Sequence, residues 1–153
     1  MTDILKIVVD YSQMIIREKQ AHINLVVQNH VDITIPRHFY LVTILSNLII
    51  NGIDAIGTKR NGELLIKVTA DNQHVYFSVT DNGSGIAKNL LPLIFKSGFS
   101  TKFDQFGDIS RGIGLSNVKT IAEEQFAGKI TVDSAPGIGT TFFVTLDKQK
   151  LIS

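Results

Sequence analysis

The chain has 153 residues, 44% of them apolar and 19% charged, with a formal charge of +1. These values describe one folded domain with a sizeable core and exclude a disordered segment. Zero cysteines rule out disulfides and thiolate metal sites, and without a basic run interleaved with aromatics nucleic acid is not an expected partner.

In chain order, residues 3–20 place Ile4, Val8, Tyr11 and Ile15 on one helical stripe, which packs on the domain or on a partner helix. "HINLVVQN" (22–29) and "VDITI" (31–35) read as two short strands. Pro36 opens a long helix over about 37–56, ended by "GTKRNG". Residues 63–81 form a hairpin around Ala70 to Gln73. The stretch from residue 96 to 112 has no helical or strand period and is long for a loop, which marks it as functional or mobile. A helix over 113–126 follows, then a closing strand pair around "PGIG". Paired strands with helices gathered on one side predict an α+β two-layer sandwich. No uninterrupted apolar run approaches the roughly 18 residues of a membrane span, and no leader pattern follows Met1, so the chain is cytosolic in character.

Four constellations carry chemistry. In "SNLIINGIDAI" (46–56), Asn47, Asn51 and Asp54 share one face of the long helix. Asn and Asp cost about 0.6 kcal/mol each relative to Ala, and Gly52 about 1 more. The face is either the solvated side of an amphipathic helix or a site; an amide oxygen is a neutral, hard donor suited to Mg²⁺. "SVTDNGSGI" (78–86) delivers Asp81 at a strand end, with Gly83 and Gly85 after it. That is an ordinary Asp-Asn-Gly turn, or a carboxylate placed to receive an amino group such as that of adenine. A calcium loop is excluded, since Pro92 stands where a bidentate Glu is required.

"SRGIGLSNVK" (110–119) puts Gly112 and Gly114 before a helix whose unpaired N–H groups favour phosphate. It lacks the third glycine of a dinucleotide fingerprint, and no G-x-x-x-x-G-K-[ST] occurs. Lys102 can bring a cation to the same phosphates or simply face solvent. "GIGTTF" (137–142) opens a strand with two glycines and two hydroxyls, by itself a turn.

Together, "NLIINGIDA", "DNGSGI", "IFKSGFSTK", "RGIGLSNVK" and "GIGTTF" resemble, in order, the asparagine, first glycine, phenylalanine, second glycine and closing glycine boxes of bacterial sensor histidine kinases. These belong to the wider GHKL ATPase superfamily, with gyrase and mismatch-repair ATPases. The wording is most similar to the branch that senses citrate, dicarboxylates or glutamine. The resemblance implies a Bergerat fold with a mixed, mostly antiparallel sheet, binding ATP and Mg²⁺ beneath a mobile lid at 96–111. It implies Asn51 as the Mg²⁺ ligand and Asp81 as the adenine partner, flanked by Gly83, Gly85 and Ile86. Thr140 would help hold adenine through water. Phe95 and Phe99 would belong to the phenylalanine box, Lys102 to a lid contact with phosphate, and Arg111, Gly112, Gly114 and Leu115 to the phosphate side.

Four positions depart from the pattern. Gly52 replaces the usual alanine, so the helix is looser there or packs closer to a neighbour. Asp54 and Ala55 stand where many members are basic, and Ser110 replaces a glycine. Asn47 occupies the place where hydrolytic relatives carry a catalytic glutamate. An amide cannot deprotonate water, so Asn47, Asn51 and Lys102 would serve transfer to an external nucleophile. None of His22, His30, His38 and His74 resembles a phosphoacceptor. Residues 1–20 are then expected to continue from a separate dimerisation domain, and 21–153 to form the ATP-binding domain. Its partners would be that domain's histidine and a response regulator, the fragment monomeric and the membrane-anchored parent homodimeric. The alternatives are a serine kinase of the anti-sigma-factor type and a degenerate GHKL interaction module.

Overall fold

Apolar residues at every second position of 64–68, 75–79 and 142–146 mark strands with one face to be buried. The computed structural model describes residues 1–96 and 114–153, and in it these runs line the inner face of a five-stranded sheet. The strands are β1 (Ile23–Asn29), β2 (Gly62–Ala70), β3 (His74–Asp81), β4 (Lys129–Ala135) and β5 (Gly139–Asp147). Their order is β1-β2-β3-β5-β4; β1 runs parallel to β2, and every other pair is antiparallel. The helices α1 (Thr2–Glu18), α2 (His38–Ile56) and α3 (Gly114–Phe126) gather on one face, giving the expected α+β sandwich. A short α4 (Lys148–Ile152) ends the chain, capped by Asp147, whose carboxylate accepts the Lys150 N–H.

α2 is the central helix. Leu41, Ile44, Leu45, Leu48, Ile49, Ile53 and Ile56 are all buried, facing the sheet and the other helices. At about 1.5–3 kcal/mol per buried side chain, that face outweighs the roughly 2 kcal/mol of propensity lost at Asn47, Asn51 and Gly52. By length and composition α2 would also suit a membrane, but its apolar stripe lies in this core.

Two expectations are corrected. Residues 31–35 are not a strand. The Asn29 carboxamide accepts the Val31 N–H at 3.0 Å and turns the chain out of the ladder just after His30 makes its last bond to Val68. Val31 and Ile35 are still buried, so the alternation reflects core filling without a partner strand. On α1, the buried line runs through Ser12, whose hydroxyl bonds back to the Val8 carbonyl, while Tyr11 is exposed beside Ile7 and Met14.

Candidate functional site

The C-terminal end of β3 and the start of β5 meet at one end of the sheet. Asp81 and Thr140 are cross-strand partners there, and both are buried. Asp81 Oδ1 accepts the Gly83 N–H at 2.8 Å. Thr140 shares a 2.8 Å hydrogen bond with the hydroxyl of Ser134, its partner on β4. Ser134 donates to the Gly139 carbonyl at 3.0 Å and accepts the Ile86 N–H at 2.8 Å. A hydroxyl has one proton. With Ser134's proton on Gly139, Thr140 donates to Ser134, and the Thr140 oxygen keeps acceptor capacity.

The loop after Asp81 is sewn to its surroundings by backbone. The Ser84 N–H donates to the Ala55 carbonyl at the end of α2, and the Gly137 N–H donates to the Ser84 carbonyl. A Cβ on Gly83 would lie 2.6–2.8 Å from Ala55 atoms. Gly85 has φ +74°, and a Cβ there would sit 2.2 Å from the Ala135 carbonyl oxygen. No L side chain fits either place without moving backbone. Asn82 fixes the loop's outer side: it exchanges bonds with Glu63 and donates to the Asn61 carbonyl.

α2 forms the adjoining wall. Gly52 is buried, and a Cβ on it would lie 2.8 Å from Leu64 Cδ2 and 3.5 Å from Asp81 Oδ2. The departure at this position is therefore a close approach: glycine lets α2 come down onto the Asp81 carboxylate. Asn47, Asn51 and Asp54 are all half-buried, so this face is not the solvated side of the helix. The Asn47 Nδ2 donates to the Thr43 carbonyl at 2.8 Å, and its Oδ1 lies 3.1 Å from where a Gly114 Cβ would stand. The start of α3 thus abuts Asn47. Asp54 turns to α1 instead, pairing with Lys19 at 2.8 Å.

Leu115 and Ile86 are half-buried against the core, as is Phe95, which meets the Phe142 ring edge-on at 6.3 Å. Fold and hydrogen bonding thus bring together Asn47, Asn51, Asp81, Gly83, Gly85, Ile86, Gly114, Leu115 and Thr140. Phe99, Lys102, Ser110, Arg111 and Gly112, with the lid from residue 97 on, lie outside the described residues. His22, His30, His38 and His74 sit at the ends of β1, α2 and β3. Ser134 and Lys19 were missed. The only trace of Ser134 in the sequence is a hydroxyl on the strand ahead of "GIGTT"; Lys19 leaves none.

No cluster of three His, Cys, Asp or Glu side chains able to hold a metal occurs among the described residues. A single half-buried amide at Asn51 fits an ion that brings most of its oxygens with it, as Mg²⁺ does with phosphate and water.

A two-layer sandwich with a buried carboxylate at a strand end, beside an asparagine-bearing helix, defines an ATP-binding fold of the GHKL kind. The chain belongs to the family of histidine kinase-, DNA gyrase B- and HSP90-like ATPases, whose model matches residues 38–150. It is 36% identical over 115 residues to the sensor histidine kinase GlnK of Bacillus subtilis, an overlap covering 74% of this chain and 27% of that protein. It is 39% identical over 106 residues to the sensor histidine kinase DcuS of Escherichia coli K12, covering 69% of this chain and 18% of DcuS. Among solved structures, the catalytic domain of histidine kinase ThkA superposes with a TM-score of 0.80 at 25% identity, covering 98% of this chain and 95% of that one. The chain spans about a quarter or less of the length of these curated relatives.

Proposed function

We propose that this chain is the ATP-binding catalytic domain of a sensor histidine kinase, presenting ATP for transfer of its γ-phosphoryl group to a histidine on a separate dimerisation domain. The phosphoryl group then passes to a response regulator, and the parent is a membrane-anchored homodimer with this domain on the cytoplasmic side. The observation that supports the reading is the approach of α2 to Asp81 at Gly52, which sets a buried carboxylate beside the asparagine-bearing helix.

In this reading Asp81 accepts from the adenine amine, with Thr140 supporting the ring through water, and Gly83, Gly85 and Ile86 lie against the base beside Phe95. The phosphates run along Asn47 and Asn51 toward Gly112, Gly114 and Leu115, with Lys102 and Arg111 supplying charge. Phosphoryl transfer depends on positioning and charge neutralisation more than on covalent help. Mg²⁺, held by Asn51, would supply part of that neutralisation when bound. Asn47 is tied by its amide to Thr43 and offers no carboxylate to activate water. ATP is therefore kept for another domain's nucleophile.

Calorimetric titration with ATP, with and without Mg²⁺, tests the reading. Binding with little turnover, and acid-labile phosphohistidine once the dimerisation domain is supplied, is the expected result. No binding at millimolar nucleotide overturns it, and acid-stable phosphoserine on a partner would reassign the acceptor.

A further inference from the structure

We propose that Ser134, on β4, is a positioning residue of the nucleotide site, a role that rests on the nucleotide reading above. It acts through Thr140: it holds the proton of that hydroxyl, so that the ring edge of the base meets Thr140 only as an acceptor. Ser134 lies ahead of the closing glycine box, outside every motif that marks the family.

Ser134, Thr140 and Asp81 are successive partners across β4, β5 and β3, and they form one rung on the helix-facing side of the sheet. The next rung on that side is Val132, Phe142, Val79 and Ile66, all apolar. Polar groups inside a sandwich cost free energy unless they are bonded. The change from apolar to polar falls at the end of the sheet that carries the candidate site.

The direction of each bond in the rung follows from counting protons. A hydroxyl has one proton and two lone pairs. Ser134 Oγ uses all three: it donates to the Gly139 carbonyl at 3.0 Å, accepts the Ile86 N–H at 2.8 Å and accepts the Thr140 hydroxyl at 2.8 Å. The first two partners act in one direction only, since a carbonyl has no proton to give and an amide N–H only donates. The Thr140 proton is therefore committed to Ser134, and Thr140, itself buried, turns a lone pair to its surroundings. One saturated oxygen thus joins the loop after Asp81, the turn before β5 and the Thr140 side chain.

The consequence reaches the base through the bridging water. A water that donates to Thr140 has one proton left. In adenine the ring nitrogen beside the amine-bearing carbon is an acceptor, and it takes that proton. Without the Ser134 hydroxyl, Thr140 is free to rotate and no longer orients the water.

The test compares ATP with an analogue that carries C–H in place of that ring nitrogen, by calorimetry on the intact chain. The parent is expected to prefer ATP by about 5-fold, the net worth of one hydrogen bond. Ser134→Ala should abolish most of that preference by weakening ATP, and Ser134→Thr, which keeps the hydroxyl, should retain it. Thr140→Val should abolish it too, and adding Ser134→Ala to Thr140→Val should cost no further preference, because one residue acts through the other. Equal losses for ATP and the analogue in Ser134→Ala, or no loss for either, overturn the proposal; a merely structural serine would give the former. Denaturant unfolding establishes that each variant is folded. Where Ser134→Ala does not fold, Ser134→Cys, whose thiol is a weak donor and acceptor, makes the same comparison. If the parent chain binds no ATP, the kinase reading falls and takes this proposal with it. If the parent binds ATP and the analogue alike, only this proposal falls.

Discussion

Asp81 and Thr140 stand opposite each other across β3 and β5, each buried, the carboxylate bonded to the Gly83 N–H and the hydroxyl to Ser134. They are 59 residues apart in sequence, by subtraction of their numbers, and meet only because the last hairpin adds β5 beside β3. Buried polar groups of this kind are held by fixed partners.

That arrangement makes Asp81→Asn a sharp test. The new amide oxygen can keep the Gly83 N–H, but its NH₂ then faces the amine of adenine, donor against donor. ATP affinity measured by calorimetry should fall by about 100-fold, in line with a desolvated polar mismatch. Unchanged affinity would remove Asp81 from the site.

Asn51→Ala should act on the metal-dependent part of binding. We expect the gain in ATP affinity on adding Mg²⁺ to shrink by about 10-fold or more, with metal-free binding nearly unaltered. Loss of binding in both conditions would point to a structural role for this side chain instead.

Gly83→Ala drives a methyl group to within 2.6–2.8 Å of Ala55 carbonyl and Cβ atoms at the end of α2. Those neighbours are all Ala55 backbone and Cβ atoms, with no flexible side-chain end to yield. Overpacking of this type costs about 1–3 kcal/mol, and a urea melt should show it as a lower midpoint with the slope preserved.

Arg37 stabilises the far end of α3. Its guanidinium donates to the Gln125 side chain, to the Gln125 carbonyl and to the Lys150 carbonyl, and lies 5.1 Å from the centre of the Phe126 ring. Arg37→Ala leaves two carbonyls without this donor and should cost about 2–3 kcal/mol. Arg37→Lys should recover only part, since an ammonium cannot reproduce the fork. Thermal unfolding of the two variants checks the order.

Asp71, in the β2–β3 turn, is held at a pKa of about 2 against an ordinary 3.8, first by the Tyr76 hydroxyl and then by the His74 and Gln73 N–H groups. A depressed carboxyl pKa stabilises the fold above the unfolded value, and the stabilisation is lost as pH falls through the folded value. The contribution is thus complete above about pH 4 and fades toward pH 2. Asp71→Asn should lower stability at neutral pH and flatten the acid limb of the unfolding curve, the two proteins converging toward pH 2.

Much of this was legible along the chain. The helix over residues 38–56, the hairpin ending at Asp81, the helix from Gly114 and the closing strand pair all follow from periodicity and turn chemistry, which are local relations. The ordered boxes identified the family for the same reason: each is a contiguous run whose chemistry is carried within a few residues. The failure at 31–35 is equally physical. Alternation records which side chains are buried, whereas a strand also needs a partner for its backbone, and the turn at Asn29 leads the chain away from β2.

What the amino-acid sequence determined by itself was therefore most of the elements and the ordered boxes that mark the family. Only the tertiary structure decided that Gly52 serves close packing, that Ser134 is the partner of Thr140, and that Asp54 belongs to Lys19. Those three relations cross between elements. They depend on strand register and on how α1 and the sheet pack against α2, and burial of a shared core, not any pattern within a single segment, selects them.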